Sequence, residues 1–345
     1  MPDYDKLHRQ NIESYSRKIR QLYLDVINEV SKLSVGLSLN ANDEFYFRNY
    51  SDLNNKVNEL IKELNSNVRG AIIEGINTSW DIANEKNDAI TRELFGSKLA
   101  EIPTEIRNKY LSNNFGAKQE FINRKIDGLN ISDRVWNMST QFKSELELAI
   151  EYSIGEGKSA AETARQIKGY LNEPNRLYRR VRDANGVLRL SKNAKAYNPG
   201  RGVYRSSYQN ALRLSRNENN FAYRAANYEK VQKADFIVAI RVNTVPGWSS
   251  SVDQGGVDCG ALAGLYPPTY KFKGNHINCR CYVTNVLKSD DELDKDTERM
   301  VNGKNPIKKE DSSNYIGEMQ PFYKQYIEKN KQRFAKWNNK PLFME

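Results

Sequence analysis

Ala234-Asp235-Phe236-Ile237-Val238-Ala239-Ile240-Arg241-Val242 is the stretch that decides the fold class of this chain. It is apolar and β-branched over the length of a strand, and it interrupts a sequence that is otherwise helical in period. Upstream, Ile12, Tyr15, Ile19, Leu22, Val26 and Val30 recur at three- and four-residue spacing, as one face of a helix would. Leu53, Val57, Leu60, Ile61, Leu64 and Val68 repeat the pattern after a polar break, and a third helical region around Ile72 to Leu94 is closed off by Pro103. Ser132 can cap a helix with the inward stripe Val135, Met138, Phe142, Leu146, Ala149 and Ile150, ending at Gly155-Glu156-Gly157. Ser159-Ala160-Ala161-Glu162 reads as a capping box, in which hydroxyl and carboxylate satisfy the first free amides of a short helix towards Leu171. A further helix runs from near Tyr204 through Leu212, Leu214 and Phe221 to Tyr228.

Downstream of the strand come Trp248, a Gly/Ser-rich turn over 249–256, and a second strand from Cys281 to Leu287. The expected class is therefore α+β: a mostly helical N-terminal region with a small C-terminal β-containing Cys/His module. Along the chain we expect a helical region over 1–125 and a helical region with a basic linker over 126–230. The β module follows over 231–287, and a charged, aromatic-bearing tail over 288–345, read as partly disordered and able to dock on a partner.

Composition narrows the setting. The chain has 345 residues, 28% of them charged, and its longest notable apolar run, Phe236 to Ile240, is strand-sized. No run approaches the ~20 residues that span a bilayer, so no membrane is expected. The start, Met1-Pro2-Asp3-Tyr4-Asp5-Lys6, lacks the basic-then-apolar pattern of a signal peptide. Cytosolic synthesis, and with it reduced thiols, is the expectation. Net charge is +10, and its location matters more than its size. Eleven Lys/Arg lie between 176 and 216 (Arg176, Arg179, Arg180, Arg182, Arg189, Lys192, Lys195, Arg201, Arg205, Arg213 and Arg216) against one acid, Asp183. Tyr178, Tyr197, Tyr204 and Tyr208 are interleaved with them. Such a segment suits sequence-independent contact with a nucleic-acid backbone, the cations neutralising phosphates and the rings stacking on exposed bases. A solvated basic face is the bland alternative.

The chemistry-bearing residues concentrate elsewhere. All three cysteines and one of the two histidines, Cys259, His276, Cys279 and Cys281, fall between 259 and 281. Three thiolates and an imidazole are a known closed set for structural zinc. In an extended strand, side chains i and i+2 share a face, so Cys279 and Cys281 can converge. Two alternatives stay open: a disulfide from Cys259 to Cys279 or Cys281, or three small core residues. A catalytic cysteine needs a base and an orienting carboxylate, and His276 is the only base nearby.

The same window resembles the C-terminal signature of tailed-phage head-morphogenesis proteins, the Mu gpF-like minor capsid family. The residues that carry it are Trp248, Asp253, Asp258-Cys259-Gly260-Ala261-Leu262-Ala263-Gly264, Pro267-Pro268 and Gly274-Asn275-His276-Ile277-Asn278-Cys279-Arg280-Cys281. Upstream, Leu212-Arg213-Leu214-Ser215-Arg216-Asn217-Glu218-Asn219 is similar to the family's Ala-Arg-Thr-Glu helix, and Leu129 to Leu171 to its helical lead-in. The likeness covers about residues 125–287, with two departures. Gly256 stands where the family has a first cysteine, and Ile277 where it has a proline. The resemblance implies a non-enzymatic minor head protein, placed in the capsid interior or at the portal vertex after assembly in the host cytoplasm. Its implied partners are portal protein, capsid shell protein and packaged double-stranded DNA. Two other classes fit the residues less fully: a metal-dependent nuclease or phage-borne toxin using the His276 region, and a non-virion zinc-bearing nucleic-acid-binding protein.

Overall fold

The computed structural model describes residues 3–35, 37, 45–155, 159–172, 180–182, 187–190, 206–245, 257–337 and 341–344. Two long helices open the chain, α1 (Tyr4–Leu33) and α2 (Ser51–Phe95). The second absorbs both stretches that the sequence pattern separates, because the gap between Val68 and Ile72 holds only Gly70 as a weak helix former, and a single glycine does not stop a helix already under way. Then follow α3 (Thr104–Tyr110), α4 (Phe115–Asn123), α5 (Ile131–Gly155) and α6 (Ala160–Asn172). The short strands β1 (Arg180–Arg182) and β2 (Leu188–Leu190) pair antiparallel, with Val181 opposite Arg189. The long helix α7 (Ser207–Lys233) leads into β3 (Ile237–Asn243), β4 (Gly264–Tyr266) and β5 (Tyr282–Leu287), and the chain closes with α8 (Asp290–Val301) and α9 (Pro321–Ala335). The fold is mostly helical α+β, 69% helix with a three-stranded antiparallel sheet in the C-terminal half. Among the described residues, no helix is long and apolar enough to cross a membrane.

Caps explain several boundaries. Asn130 and Asp133 exchange backbone–side-chain hydrogen bonds of 3.0 Å in each direction, so α5 starts from Asn130 and not from Ser132. The capping box at Ser159 and Glu162 forms as the sequence predicts, with Glu162 Oε2 accepting from the Ser159 amide at 2.9 Å. A second box, Ser289 with Glu292, opens α8. Three bonds from the Ser289 and Ser313 amides and the Ser312 hydroxyl hold the Glu292 carboxyl down at about 2.

Division of the chain by contact cuts across residue order. There are two units, one of Met1–Ile12, Gly75–Ile122 and Asn217–Glu345, the other of Glu13–Glu74 and Asn123–Arg216. The reason is helix length: α1, α2 and α7 each contribute a stretch to both units, so chain order is not module order. In the second unit, Tyr23 packs on Phe142 and Tyr208 (centroids 4.8 and 5.5 Å apart). The buried Glu145 of α5 accepts from the Ser207 amide and hydroxyl at 2.9 and 2.6 Å, which caps α7.

In the first unit β3 is the central strand, flanked by β4 and β5. Arg241 lies opposite Leu265 on one side and Thr284 on the other, with a bulge between Ile237 and Ala239. Phe95 and Tyr110 pack edge-on to Phe236 at the start of this sheet. The C-terminal residues, expected as a partly disordered docking tail, are folded against the same module. Phe322 and Tyr323 stand edge-on to Tyr266, 5.5 and 5.8 Å away, and the Tyr326 hydroxyl accepts from the Asp258 amide at 2.8 Å. The aromatic spacing marks anchors, as the sequence indicates, but the surface they anchor to belongs to this chain.

Candidate metal centre

The loop from Lys273 to Cys281 is shaped by two residues with left-handed backbone and by one helix. Gly274 (φ 112°) and Asn278 (φ 61°) make turns that most side chains disfavour. Helix α7 grips the loop with two residues seven apart, hence on one face. Asn217 Oδ1 accepts from the Asn278 amide at 2.7 Å. Two turns on, Arg224 donates from Nη1 to the Lys273 carbonyl at 2.8 Å, and from Nη2 to the carbonyls of Cys279 and Cys281 at 2.7 and 2.9 Å. A Cβ on Gly274 would sit 2.5 Å from Arg224 Nη1 and 3.3 Å from Cys279 Cβ. Gly274→Ala is therefore expected to lose about 2–3 kcal/mol of stability from strain and from the displaced guanidinium. Urea unfolding measures this, and a loss under about 0.5 kcal/mol would show that the loop adapts freely.

This clamp delivers three thiols to one place. Cys259, Cys279 and Cys281 are free and buried, and their sulfurs lie within 4.8 Å of one another. A tetrahedral zinc with bonds of ~2.3 Å sets sulfurs about 3.8 Å apart, so a small contraction would bring the triad into ligand range. Three buried cysteines close together can bind a metal. The donor set fits a soft or borderline ion, since neither an exposed carboxylate cage nor a row of carbonyls is involved. The thiols also border the apolar cluster of Ile240, Tyr266 and Phe272, so they contribute to packing as small apolar groups do.

Electrostatics already distinguishes the three. Hydrogen bonds from Cys259 and Cys281 hold the Cys279 thiol well below the usual thiol range against its burial, with help from the charge of Arg224. The donors move the other way: Cys259 is pushed up to about 11 by its hydrogen bond to Cys279, and Cys281 is raised chiefly by its bond with Cys259. Asn275, 2% exposed, donates its amide to Cys281 Sγ at 3.9 Å. The hydrogen bonds within the triad therefore favour the anionic form more at Cys279 than at Cys259 or Cys281.

Of the four expected ligands, the structure gathers the three cysteines. His276 is buried beside them in sequence but is not part of the group whose ligand atoms lie within 4.8 Å. Its Nδ1 is 2.7 Å from the Ile277 carbonyl, an acceptor only, which puts the proton on Nδ1 and the lone pair on Nε2. Among the described residues, the thiol triad is the one group of three or more His, Cys, Asp or Glu side chains that could share a metal. Of the basic residues, Arg180 and Arg182 lie on β1 and Arg189 on β2. Arg176, Arg179, Lys192, Lys195, Arg201 and Arg205 lie outside the described residues. Arg224, Asn217 and Asn275 were not singled out from the sequence. The only signal for the first two is their seven-residue spacing on a helix that the pattern does predict. Compared with protein family models, with curated proteins and with solved structures, the chain matches none at a significant level.

Proposed function

We propose that this chain is a minor head protein of a tailed phage that assists capsid assembly at the portal and contacts packaged DNA without sequence preference. One observation supports the reading above others. The two segments that carry the resemblance, residues 212–219 and 258–281, are far apart in sequence, yet Asn217 of the first binds the backbone of Asn278 in the second at 2.7 Å. That contact supports reading the two segments as parts of one module. In this reading Cys259, Cys279 and Cys281 hold a structural zinc, with His276 as the expected fourth ligand. Bound there, the ion supplies folding free energy by tying the loop to the start of β5. Binding and positioning are the whole of the mechanism. The basic strands β1 and β2 would meet phosphates, while the helical units dock on portal or shell protein.

Purification of the source particle tests the head role, since the chain is expected in intact heads by mass spectrometry and its absence rejects that role. DNA contact is tested by salt titration of binding. Changing Arg179, Arg180 and Arg182 together to Ala is expected to lower the log–log salt slope by about 2.7, at ~0.9 per lost phosphate contact. An unchanged slope sinks it. Metal-dependent plasmid cleavage lost in His276→Ala would replace the whole reading by a nuclease.

A further inference from the structure

Buried cations in the first unit come with carboxylates. Lys86 pairs with Asp5, Lys230 with Asp88, and Lys288 with Asp296. Arg224 is the exception. It is 7% exposed, and its guanidinium meets three backbone carbonyls and, 5.2 Å away, the ring of Phe272, with no carboxylate partner among the described residues. Carbonyl dipoles and a ring face offset part of the cost of burying a charge, and an unpaired buried ion still costs several kcal/mol. Two of the carbonyls it holds belong to Cys279 and Cys281. The missing counter-charge is therefore to be sought in the thiol triad.

We propose that Arg224 is the counter-ion of an anionic metal–thiolate centre in which Cys259, Cys279 and Cys281 bind one divalent soft or borderline ion. The proposal rests on the metal reading above and adds its charge state. Three S–H bonds break, three metal–sulfur bonds form, and the protons pass to solvent. With a neutral fourth ligand, imidazole or water, two positive and three negative charges leave the centre at −1, which one guanidinium balances. A fourth thiolate would make it −2, and the chain has no fourth cysteine to supply one. Arg224 acts here as a positioning residue: it holds the loop backbone and balances the charge, without touching the ion.

The test uses the full chain under reducing conditions, with zinc and cadmium affinities read by competition against a chromophoric chelator. Wild type is expected to bind one ion. Arg224→Gln is expected to weaken binding on the order of 10- to 100-fold, the usual effect of losing a partner behind the ligands. Arg224→Lys keeps the charge and loses the fork, and is expected to bind at least about fivefold more tightly than Arg224→Gln while remaining weaker than wild type. A merely structural clamp would fail equally in both variants, and equal losses would overturn the proposal. A second arm places Arg224→Gln in a Cys281→Ser background, where the centre with two thiolates is neutral; there the substitution is expected to cost less than about threefold. An unchanged factor in that background also overturns it, while leaving the metal site itself standing. Wild type that binds no ion overturns both. If Arg224→Gln does not fold, Arg224→Lys decides alone: a loss of about 100-fold or more rejects the charge role, and a loss under about tenfold supports it.

Discussion

Lys288→Met is expected to cost about 3–5 kcal/mol, because it strands a carboxylate in the interior. The Lys288 side chain is fully buried and that of Asp296 2% exposed, with Nζ 2.6 Å from Asp296 Oδ2. Lys288 Nζ also donates to the Ile307 carbonyl at 2.5 Å, and the Ile307 amide donates to Asp296 Oδ1 at 2.7 Å. With the lysine gone, Asp296 keeps only that amide and must be buried unpaired or protonated. Lys288→Met combined with Asp296→Leu removes both charges and is expected to recover most of the loss, since well-packed apolar replacements of buried pairs are often neutral. Urea unfolding of the two variants and wild type gives the numbers. A single-variant loss below about 1 kcal/mol, or a double variant no better than the single, would show that the pair is not the fastener described here. The consequence reaches beyond α8. Lys288 follows β5 directly, its amide bonds the Phe236 carbonyl at 3.0 Å, and the chain beyond carries the aromatics that cover Tyr266. The pair thus ties the C-terminal residues to the sheet that positions the thiols.

That connection was invisible in the sequence, and the reason is physical. The acidic run Asp290-Asp291-Glu292-Leu293-Asp294 and the scattered aromatics after it have the composition of a solvated tail. Composition averages over faces, however. Within α8, Leu293, Asp296 and Met300 are buried while Asp290, Asp291 and Asp294 are not, so three- and four-residue spacing carried the information that the charge count concealed. The period change at Ala234 was legible because the run is short, continuous in apolar residues and enriched in β-branched ones, which favours a strand over a helix. β4 was not, since Gly264-Leu265-Tyr266 is too short to show alternation and is a strand only through its pairing to β3.

The site divides in the same way. Soft ligands are rare enough that clustering in sequence foretold clustering in space, and Cys259, Cys279 and Cys281 converge. What the sequence could not rank was the set around them. Arg224 is one of many cations in a basic chain, and only tertiary packing reveals that it is buried, unpaired with any carboxylate among the described residues, and aimed at the loop carbonyls. His276 was chosen because histidine ligates metals; it lies outside the thiol group, and its Nδ1 is engaged by the Ile277 carbonyl.

The other histidine offers the second large effect. His8 of α1 is 5% exposed and stacks on Tyr223 at 4.0 Å with the rings 7° from parallel. Its Nε2 faces Asn220 Oδ1 at 3.2 Å, which fixes the proton there, and among the described residues Nδ1 has no hydrogen-bond partner. Burial lowers its pKa from 6.5 to about 3; the bond to Asn220 opposes this, and the cations Arg224, Lys86 and Arg9 reinforce it. The unfolded chain takes up this proton near pH 6.5 and the folded chain only near 3. Stability from this group is therefore complete above 6.5 and falls as pH drops through that window, by about 1.4 kcal/mol per unit. At pH 4.5 the loss relative to pH 8 is expected to be about 2.7 kcal/mol. His8→Phe keeps a ring against Tyr223 and cannot titrate, so its stability is expected to fall less over the same interval by that amount. Urea midpoints for both proteins at pH 8, 6 and 4.5 make the comparison. Carboxylates and any acid release of metal from the thiols contribute equally to the two curves and cancel in the difference. Parallel curves would mean that His8 accepts a proton in place, with the free Nδ1 finding an acceptor as it does so. Diverging curves would establish that the folded chain holds His8 neutral, with the nearby cations Arg224, Lys86 and Arg9 opposing a further positive charge there.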